Sequence, residues 1–331
     1  MKNFYLQWHL LNRCNLRCIH CYQDDFTSKE ELSFEDLMKV YENLIKSMEL
    51  LNSSLNVALT GGEPFLHKNL FDLMEKLEKE EKVRAFYIIT NGHFLVEFAR
   101  DLKKFKKLKD VKVSLDGFSE GENDRIRGKG SFKKTMEGIE ELKENRIKTI
   151  LMFTLMKSNR REIKNLISFM KAFGLDGAIV ERFIPLGRGL GIGEELLGFE
   201  EWKEVCLEIL KELKIDIDLK EISPYKAFKI QWKDGELDLL GSECIVGKDG
   251  GALMPSGDFY PCRRFPIAQG NLLYKNLKEI FEGSKLLNLL KEKKNLKGKC
   301  GFCEFGECIG CRAYVYSKTG DPLGEDEVCF L

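Results

Sequence analysis

The stretch Asn12-Arg13-Cys14-Asn15-Leu16-Arg17-Cys18-Ile19-His20-Cys21-Tyr22 places three cysteines within eight residues, at C-x3-C-x2-C spacing, directly after the apolar run 5–11. Three thiolates on one short loop can each bind one iron of a cubane cluster, which leaves the fourth iron open to an external ligand. A structural zinc site instead needs a fourth protein ligand to close its tetrahedron. His20 is the only local candidate, and it lies between two of the cysteines. The spacing therefore favours an iron–sulfur cluster over zinc.

This spacing resembles the signature of the radical S-adenosylmethionine (SAM) superfamily, whose open iron binds the amino and carboxylate groups of SAM. The resemblance implies that Cys14, Cys18 and Cys21 hold a [4Fe-4S] cluster and that SAM is consumed as a co-substrate. It also implies reductive cleavage of SAM to a 5′-deoxyadenosyl radical, with electrons from a reductant such as flavodoxin or ferredoxin.

Charge and cysteine content indicate which partners and which cellular compartment the sequence favours. The 331 residues include 53 Lys and Arg and 53 Asp and Glu, so the net charge is zero and predicts neither a nucleic-acid nor a membrane partner. The N-terminus shows no signal peptide, and no run of 18 apolar residues occurs. We therefore expect a cytoplasmic protein whose cysteines, apart from Cys206, bind metal rather than form disulfides.

Residues 1–190 alternate short apolar runs with amphipathic stretches, which is typical of parallel βα units. The pattern predicts strands at 5–11, 56–60, 84–90, 110–115, 148–155 and 177–184, and helices at 33–51, 68–81, 94–105, 131–145 and 160–173. Right-handed crossovers would curl these units into an α/β fold, a partial (β/α)6 TIM-like barrel. We expect a bridging helical segment at 191–240, with Cys206 as a buried thiol in a helix at 199–213, and a small cysteine-rich iron–sulfur domain at 241–331.

Polar residues and glycines follow the predicted strands, where chemistry in such folds gathers. Thr60-Gly61-Gly62-Glu63-Pro64 follows the second strand, Thr90-Asn91-Gly92 the third, and Ser114-Leu115-Asp116-Gly117 the fourth, and a predicted loop then carries Arg125 and Arg127. The glycines let the backbone approach a ligand closely, and Glu63 offers an acceptor for an ammonium group. Each motif also has a plain structural interpretation, as an ordinary strand–helix turn or a solvated loop.

The resemblance gives these residues candidate roles in binding SAM. The Gly61-Gly62-Glu63 turn resembles the superfamily motif that holds the amino group, and Ser114 and Arg127 are candidates for the carboxylate. Tyr22 and Ile184 lie where residues pack against the adenine, although Ile184 fits plain core packing equally well. Further candidates at the strand ends are Asn91 and Asp116. No catalytic acid or base can be assigned, because Asp116, Glu181 and Asp258 are only polar residues near strand ends or turns.

Seven cysteines mark the C-terminal region. Cys300, Cys303, Cys308 and Cys311 form two C-x2-C pairs, which by spacing alone would also suit a zinc ribbon. The order of the seven resembles the SPASM domain, which carries two auxiliary [4Fe-4S] clusters. By matching position, the first cluster takes Cys244, Cys262 and Cys311, and the second takes Cys300, Cys303, Cys308 and Cys329. The two gaps C-x4-C and C-x2-C are each one residue shorter than usual, and no eighth cysteine precedes Cys244, so the first cluster lacks a fourth cysteine ligand.

The two resemblances together imply an oxidoreductase that modifies its substrate oxidatively. The first expectation is a peptide or protein side chain, as in peptide maturases that form crosslinks or dehydrogenate. Peptide recognition would need a separate leader-binding protein or the groove between domains, because the cluster loop begins already at Cys14. The alternative is a small molecule, as for a tetrapyrrole decarboxylase. A zinc-stabilised binding protein would leave Gly61-Gly62-Glu63 and Ser114-Leu115-Asp116-Gly117 unexplained.

Overall fold

Six parallel strands form the centre of the fold. The structure, a computed structural model, describes residues 2–233, 235–242 and 244–331, apart from the side chain of Ser242. Each strand pairs in parallel with the next one along the chain, so all six carboxyl ends meet at one edge. The strands are β1 (Lys2–His9), β2 (Ser53–Thr60), β3 (Val83–Thr90), β4 (Leu108–Ser114), β5 (Thr149–Leu155) and β6 (Gly177–Arg182).

Helices connect these strands and bury one face each against the sheet. They are α1 (Phe34–Leu50), α2 (Leu70–Lys79), α3 (Leu95–Leu102), α4 (Glu120–Arg127), α5 (Ser131–Glu144) and α6 (Leu166–Ala172). Helix α1 shows why they form: Leu37, Val40 and Leu44 recur at helical spacing and are all buried. Its predicted N-terminus is confirmed, because the Ser33 hydroxyl accepts a hydrogen bond from the backbone N–H of Asp36 at 3.1 Å.

Two connections differ from the prediction. The segment with Arg125 and Arg127 was expected to be a loop, but it forms helix α4, which is capped by Ser119. Its residues are almost all charged or polar, so no apolar periodicity marks it in the sequence. The helix expected at 160–173 starts as a 3-10 helix over Arg160–Asn165 before α6 begins.

Residues after β6 extend the sheet on that side. A 3-10 segment (Gly187–Glu195) and helix α7 (Phe199–Glu212) lead into an antiparallel hairpin of β7 (Ala227–Lys233) and β8 (Glu236–Ser242), and β7 pairs with β6. A helical segment was expected over 191–240, but its last part forms this hairpin instead. On α7, the prediction that Cys206 is a buried thiol is confirmed.

The C-terminal region extends the same sheet on the side of β1. Strand β9 (Gly250–Leu253) pairs in parallel with β1, and β10 (Asp258–Tyr260) and β11 (Gly270–Asn271) follow with antiparallel pairing. The later helices are α8 (Leu277–Gly283), α9 (Lys285–Leu290), α10 (Lys299–Phe302) and α11 (Arg312–Thr319), with a 3-10 turn at Lys293–Asn295. The sequence of residues 276–293 predicts one long helix, but Ser284 caps a second helix there by accepting from the N–H of Leu287.

The predicted fold class, an α/β partial barrel followed by a cysteine-rich region, is confirmed by this topology. The boundaries at residues 190 and 240 remain a prediction, and in the described residues one sheet of eleven strands runs across both. Within that same part of the chain, no helix is long and apolar enough to cross a membrane.

Candidate active site

The three N-terminal cysteines line one cavity at the carboxyl ends of the parallel strands. Cys14, Cys18 and Cys21 contribute to its wall, and its empty volume is about 970 Å³, counting the space open to solvent at its mouth. Burial raises the pKa of the Cys14 thiol to about 11 and that of Cys18 to about 12. Thiols in such a setting lose their protons when a cation binds to the sulfur, so the donor set suits a metal cluster.

The Gly-Gly-Glu turn after β2 holds the start of the cysteine loop. The backbone N–H of Gly62 donates to the carbonyl of Leu11 at 2.7 Å, and the N–H of Glu63 donates to that of Arg13 at 2.9 Å. A Cβ at Gly62 would lie 2.2 Å from the Arg13 carbonyl oxygen. The glycine is therefore required by the approach of the cysteine loop, whereas the sequence analysis attributed it to the approach of a ligand.

Two further elements hold the rest of the cysteine loop. The N–H of Ile19 donates to the carbonyl of Ile126 in helix α4 at 3.0 Å. The N–H of Gly189, beyond β6, donates to the carbonyl of Cys21 at 3.0 Å. The loop is thus bound on three sides by segments that are far apart in sequence.

Glu63 is buried behind the cavity and does not line it. Its carboxylate accepts hydrogen bonds from the Thr90 hydroxyl at 2.7 Å and from the N–H of Asn91 at 2.9 Å. Burial raises its pKa to about 7, although these donors oppose the shift. In the structure this carboxylate connects the turns after β2 and β3, and its contact with an ammonium group remains a prediction.

Several predicted SAM contacts do line the cavity. Those that do are Tyr22, Gly61, Gly62, Asn91, Ser114, Arg127 and Ile184. The side-chain N–H of Asn91 donates to the Asn15 Oδ1 at 2.8 Å, which connects the turn after β3 to the cysteine loop. The Tyr22 hydroxyl donates to the carbonyl of Gly61 at 3.2 Å and lies 3.1 Å from His9 Nδ1. The role of each residue toward SAM remains a prediction.

Asp116 is fully buried, and its contacts are with protein groups. Its Oδ2 lies 2.6 Å from Nε of Arg127 and 2.6 Å from Nε2 of His20, and Oδ1 accepts from the N–H of Thr154 at 2.7 Å. Burial alone would raise the pKa of Asp116, but Arg127 and His20 lower it to about 2. Asp116 orients Arg127 and His20, both of which line the cavity, and its contact with the cofactor remains a prediction.

An arginine cluster in the cavity wall was missed by the sequence analysis. Arg263 contacts Glu181 of β6 in a short ion pair, and Nη1 of Arg264 lies 3.8 Å from the same carboxylate. Both arginines and Glu181 line the cavity. In the sequence, the signal for Arg263 and Arg264 was their position directly after Cys262. Asp258 lies elsewhere, in the β10–β11 hairpin, where its carboxylate accepts from Asn271 at 2.9 Å.

Some of the C-terminal cysteines lie close to others of their predicted set, and the two complete ligand sets remain a prediction. Burial raises the pKa of Cys244 to about 12, and the neighbouring Cys311 and Cys262 thiols add to the shift. The thiol of Cys300 is likewise raised by burial, with Cys329 among its neighbours. Among the described residues, no three or more His, Cys, Asp or Glu side chains are grouped as ligands of a single metal ion.

Buried arginines beside these cysteines suit a negatively charged cluster. Arg312 is fully buried, and its Nη2 lies 3.7 Å from Sγ of Cys300. Burial lowers the pKa of Arg264, but Glu181 raises it, and the nearby Cys262 and Cys311 thiols add to that rise. A buried cation needs a counter-charge, and thiolates that ligate iron supply one. The residues present therefore fit iron–sulfur clusters in this region.

Comparison with known proteins assigns the family. The model of the Radical SAM superfamily matches residues 8–170, and that of the SPASM iron–sulfur cluster-binding domain matches residues 244–304. The chain is a member of the radical SAM superfamily and carries a SPASM domain. It therefore binds a [4Fe-4S] cluster and SAM, together with auxiliary iron–sulfur clusters.

Relatives extend over nearly the whole chain. The AdoMet-dependent heme synthase of Methanosarcina barkeri (strain Fusaro / DSM 804) is 26% identical over 339 residues, covering 98% of this chain and 95% of the relative. The antilisterial bacteriocin subtilosin biosynthesis protein AlbA of Bacillus subtilis (strain 168) is 27% identical over 340 residues, covering 97% and 69%. The crystal structure of Streptococcus suis SuiB bound to S-adenosylmethionine has a TM-score of 0.72 at 17% identity, covering 100% and 78%, and shares the fold.

Proposed function

We propose that this protein is a radical SAM enzyme that oxidatively decarboxylates propionate side chains of a tetrapyrrole. The observation that carries the proposal is the charge of the cavity. Its lining, within the described residues, includes one carboxylate, that of Glu181, and four arginines: Arg127, Arg182, Arg263 and Arg264. Besides uncharged polar groups, the wall includes several apolar side chains: Leu16, Phe26, Ile89, Met152, Phe183 and Ile184. Apolar walls with a few cations suit a flat apolar ring that carries carboxylates.

The relatives support a small-molecule substrate over a peptide. The heme synthase aligns over 98% of this chain and nearly its own full length. Heme carries vinyl groups in place of two propionates of iron coproporphyrin III. Loss of one hydrogen atom from the β-carbon, of CO2 and of one electron converts a propionate into a vinyl group.

The cluster at the cysteine loop and SAM, when bound, would supply a 5′-deoxyadenosyl radical that takes the hydrogen atom, while an iron–sulfur centre takes the electron. Cys14, Cys18 and Cys21 would hold that cluster, because they line one cavity on one loop. Gly61, Gly62, Asn91, Ser114 and Arg127 would contact the methionine part of SAM, with Arg127 fixed by Asp116. Tyr22 and Ile184 would pack near the adenine.

The auxiliary clusters would be held by the C-terminal cysteines in the predicted sets. The first set is Cys244, Cys262 and Cys311, and the second is Cys300, Cys303, Cys308 and Cys329. The electrostatic coupling of Cys244 with Cys311 and Cys262 supports the first, and that of Cys300 with Cys329 supports the second.

The test is an anaerobic reaction of the reconstituted protein with SAM, a reductant such as dithionite or flavodoxin, and iron coproporphyrin III. The expected result is formation of 5′-deoxyadenosine together with loss of CO2 and two hydrogen atoms per modified side chain, measured by mass spectrometry. The C18A variant is the control, since it removes one cysteine of the loop. Unchanged porphyrin, with 5′-deoxyadenosine formed only when a substrate peptide is supplied, would replace this proposal by peptide modification, which the similarity to AlbA keeps as the second candidate.

A further inference from the structure

Arg263 belongs to the C-terminal region and contacts both β1 and β6, the first and the last of the six parallel strands. Its Nη1 donates to Oε1 of Gln7 on β1 at 3.3 Å, and its Nη2 forms the short ion pair with Glu181 on β6. Its guanidinium also lies 5.7 Å from the centre of the Tyr22 ring, next to Cys21. Arg263 therefore brings a positive charge from the C-terminal region into the cavity, beside the cysteine loop.

The charges at this point do not balance. Glu181 is the carboxylate that both Arg263 and Arg264 approach, so the three side chains together keep one positive charge. Nε of Arg263 and Nε of Arg264 are buried, and neither has a hydrogen-bond acceptor within the described part of the chain. Buried guanidinium N–H groups without acceptors are costly, and an anion that enters the cavity would satisfy them.

The other two lining arginines have partners of their own, although Nη1 of Arg182 is likewise buried without a hydrogen-bond acceptor within the described residues. Arg127 is paired with the buried carboxylate of Asp116. The guanidinium of Arg182 lies between two aromatic rings, 4.8 Å from the centre of Trp202 and 5.2 Å from that of Tyr314. Arg263 and Arg264 are therefore the lining cations best placed to receive a ligand.

We propose that Arg263 and Arg264 form a carboxylate-binding site for the substrate, and that the Glu181 carboxylate occupies this site when no substrate is bound. This inference rests on the proposed function and identifies which residues recognise the substrate. Guanidinium groups bind carboxylates through paired charge-assisted hydrogen bonds, so a propionate of the porphyrin is the expected ligand. Such an anchor would fix the orientation of the ring relative to the cysteine loop.

The first experiment measures binding of iron coproporphyrin III to the reconstituted protein by anaerobic absorbance titration. In R263Q the dissociation constant should rise about tenfold or more, since a charge-assisted hydrogen bond to the carboxylate is lost. R84Q is the matched control, because Arg84 is exposed at the start of β3, where it donates to Asn3. Its affinity should equal that of the wild type. Iron content measured on each variant shows that the clusters are retained.

The second experiment uses Glu181, for which anchoring and purely structural roles predict opposite signs. E181Q removes the internal carboxylate that competes for both arginines, so porphyrin binding should become tighter. If the ion pair served only to hold the fold, E181Q would weaken binding as R263Q does. The tetramethyl ester of iron coproporphyrin III, which lacks carboxylates, should bind wild type and R263Q equally.

The outcomes separate this inference from the proposed function. A wild-type protein that neither binds nor converts iron coproporphyrin III would overturn both. A wild-type protein that converts it, with R263Q binding as tightly as wild type, would overturn the carboxylate site alone. Weaker binding of the porphyrin by E181Q would also reject the site. So would a loss of affinity in R263Q that is as large for the ester as for the free acid.

Discussion

At the scale of single residues, the arrangement around Asp116 shows how a buried charge is used to fix others. This carboxylate has no exposed surface. It lies 2.6 Å from both Arg127 and His20, and it accepts a hydrogen bond from the N–H of Thr154. Its pKa, lowered from 3.8 to about 2, means that this stabilisation is complete above about pH 4 and is lost as the pH falls through 2. The ion pair of Asp116 and Arg127 therefore stays charged throughout the neutral pH range.

Replacing this carboxylate should be severe. In D116N, Arg127 stays buried without a counter-charge, so the free energy of unfolding should fall by about 3 kcal/mol or more. Denaturant unfolding under anaerobic conditions measures the change. D101N is the matched control, because Asp101 is exposed on α3, and its stability should stay close to that of the wild type. Equal stabilities for D116N and D101N would contradict the assigned role.

Glu63 should make stability depend on pH in the opposite sense. Burial raises its pKa from 4.5 to about 7, so between these values the folded state binds more protons than the unfolded state. Its contribution to stability is therefore present at low pH and declines as the pH rises to 7, by about 3 kcal/mol in total. In E63Q this decline should vanish, which unfolding measured at pH 5 and pH 8 in the absence of SAM would reveal. An identical pH slope in both proteins would refute the assignment.

At the scale of elements, the turn after β2 and the cysteine loop form one unit. Their contact depends on the absence of a side chain at Gly62, where a Cβ would lie 2.2 Å from the Arg13 carbonyl and 2.5 Å from that of Asn12. The hydrogen bond from Gly62 to Leu11 needs this close approach. The geometry of the cluster loop is therefore set partly by a turn some forty residues later in the chain.

The change G62A should displace the cysteine loop and prevent its cluster from forming. Iron and acid-labile sulfide after reconstitution should fall, and the spectroscopic signal of the SAM-binding cluster should be lost while the C-terminal clusters remain. G121A is the matched control, because a Cβ at Gly121 on α4 has no neighbour within 4 Å and alanine favours a helix. A full iron content in G62A would show that the turn does not fix the loop.

At the scale of the whole molecule, the C-terminal region is joined to the barrel through β9, which pairs with β1, and through Arg263 and Arg264, which contact β6. The cysteine loop and the C-terminal cysteines are thereby held in one continuous structure. Replacing single cysteines in either region shows how much iron the cysteine loop binds and how much the C-terminal region binds.

The predicted ligand sets imply three [4Fe-4S] clusters, or about twelve irons per chain. C262A should lower the iron content by up to about a third, because one auxiliary cluster loses a ligand. C206A is the control, since Cys206 is buried on α7, and it should keep its iron. Unchanged iron in C262A would remove that cysteine from the first cluster.

The βα alternation and the cysteine spacing were enough to predict the partial barrel and the cluster loop. Periodicity is a local property, so strands and amphipathic helices could be found without coordinates. Helix α4 escaped because its polar sequence carries no apolar period, and the β7–β8 hairpin because its pairing partner β6 lies far away in sequence. Cys14, Cys18, Cys21 and most strand-end residues were found because the carboxyl ends of parallel strands meet at one edge.

The sequence by itself therefore determined the order of elements and the edge of the sheet at which the cysteine loop and most of the candidate residues meet. Only the tertiary structure decided which neighbour each of those residues meets. Glu63 contacts Thr90 and Asn91, Asp116 contacts Arg127, and Arg263 reaches Glu181 from 82 residues away. Such contacts depend on how distant segments pack, because hydrogen bonds and ion pairs form between groups that are close in space, and residue spacing along the chain does not encode that distance.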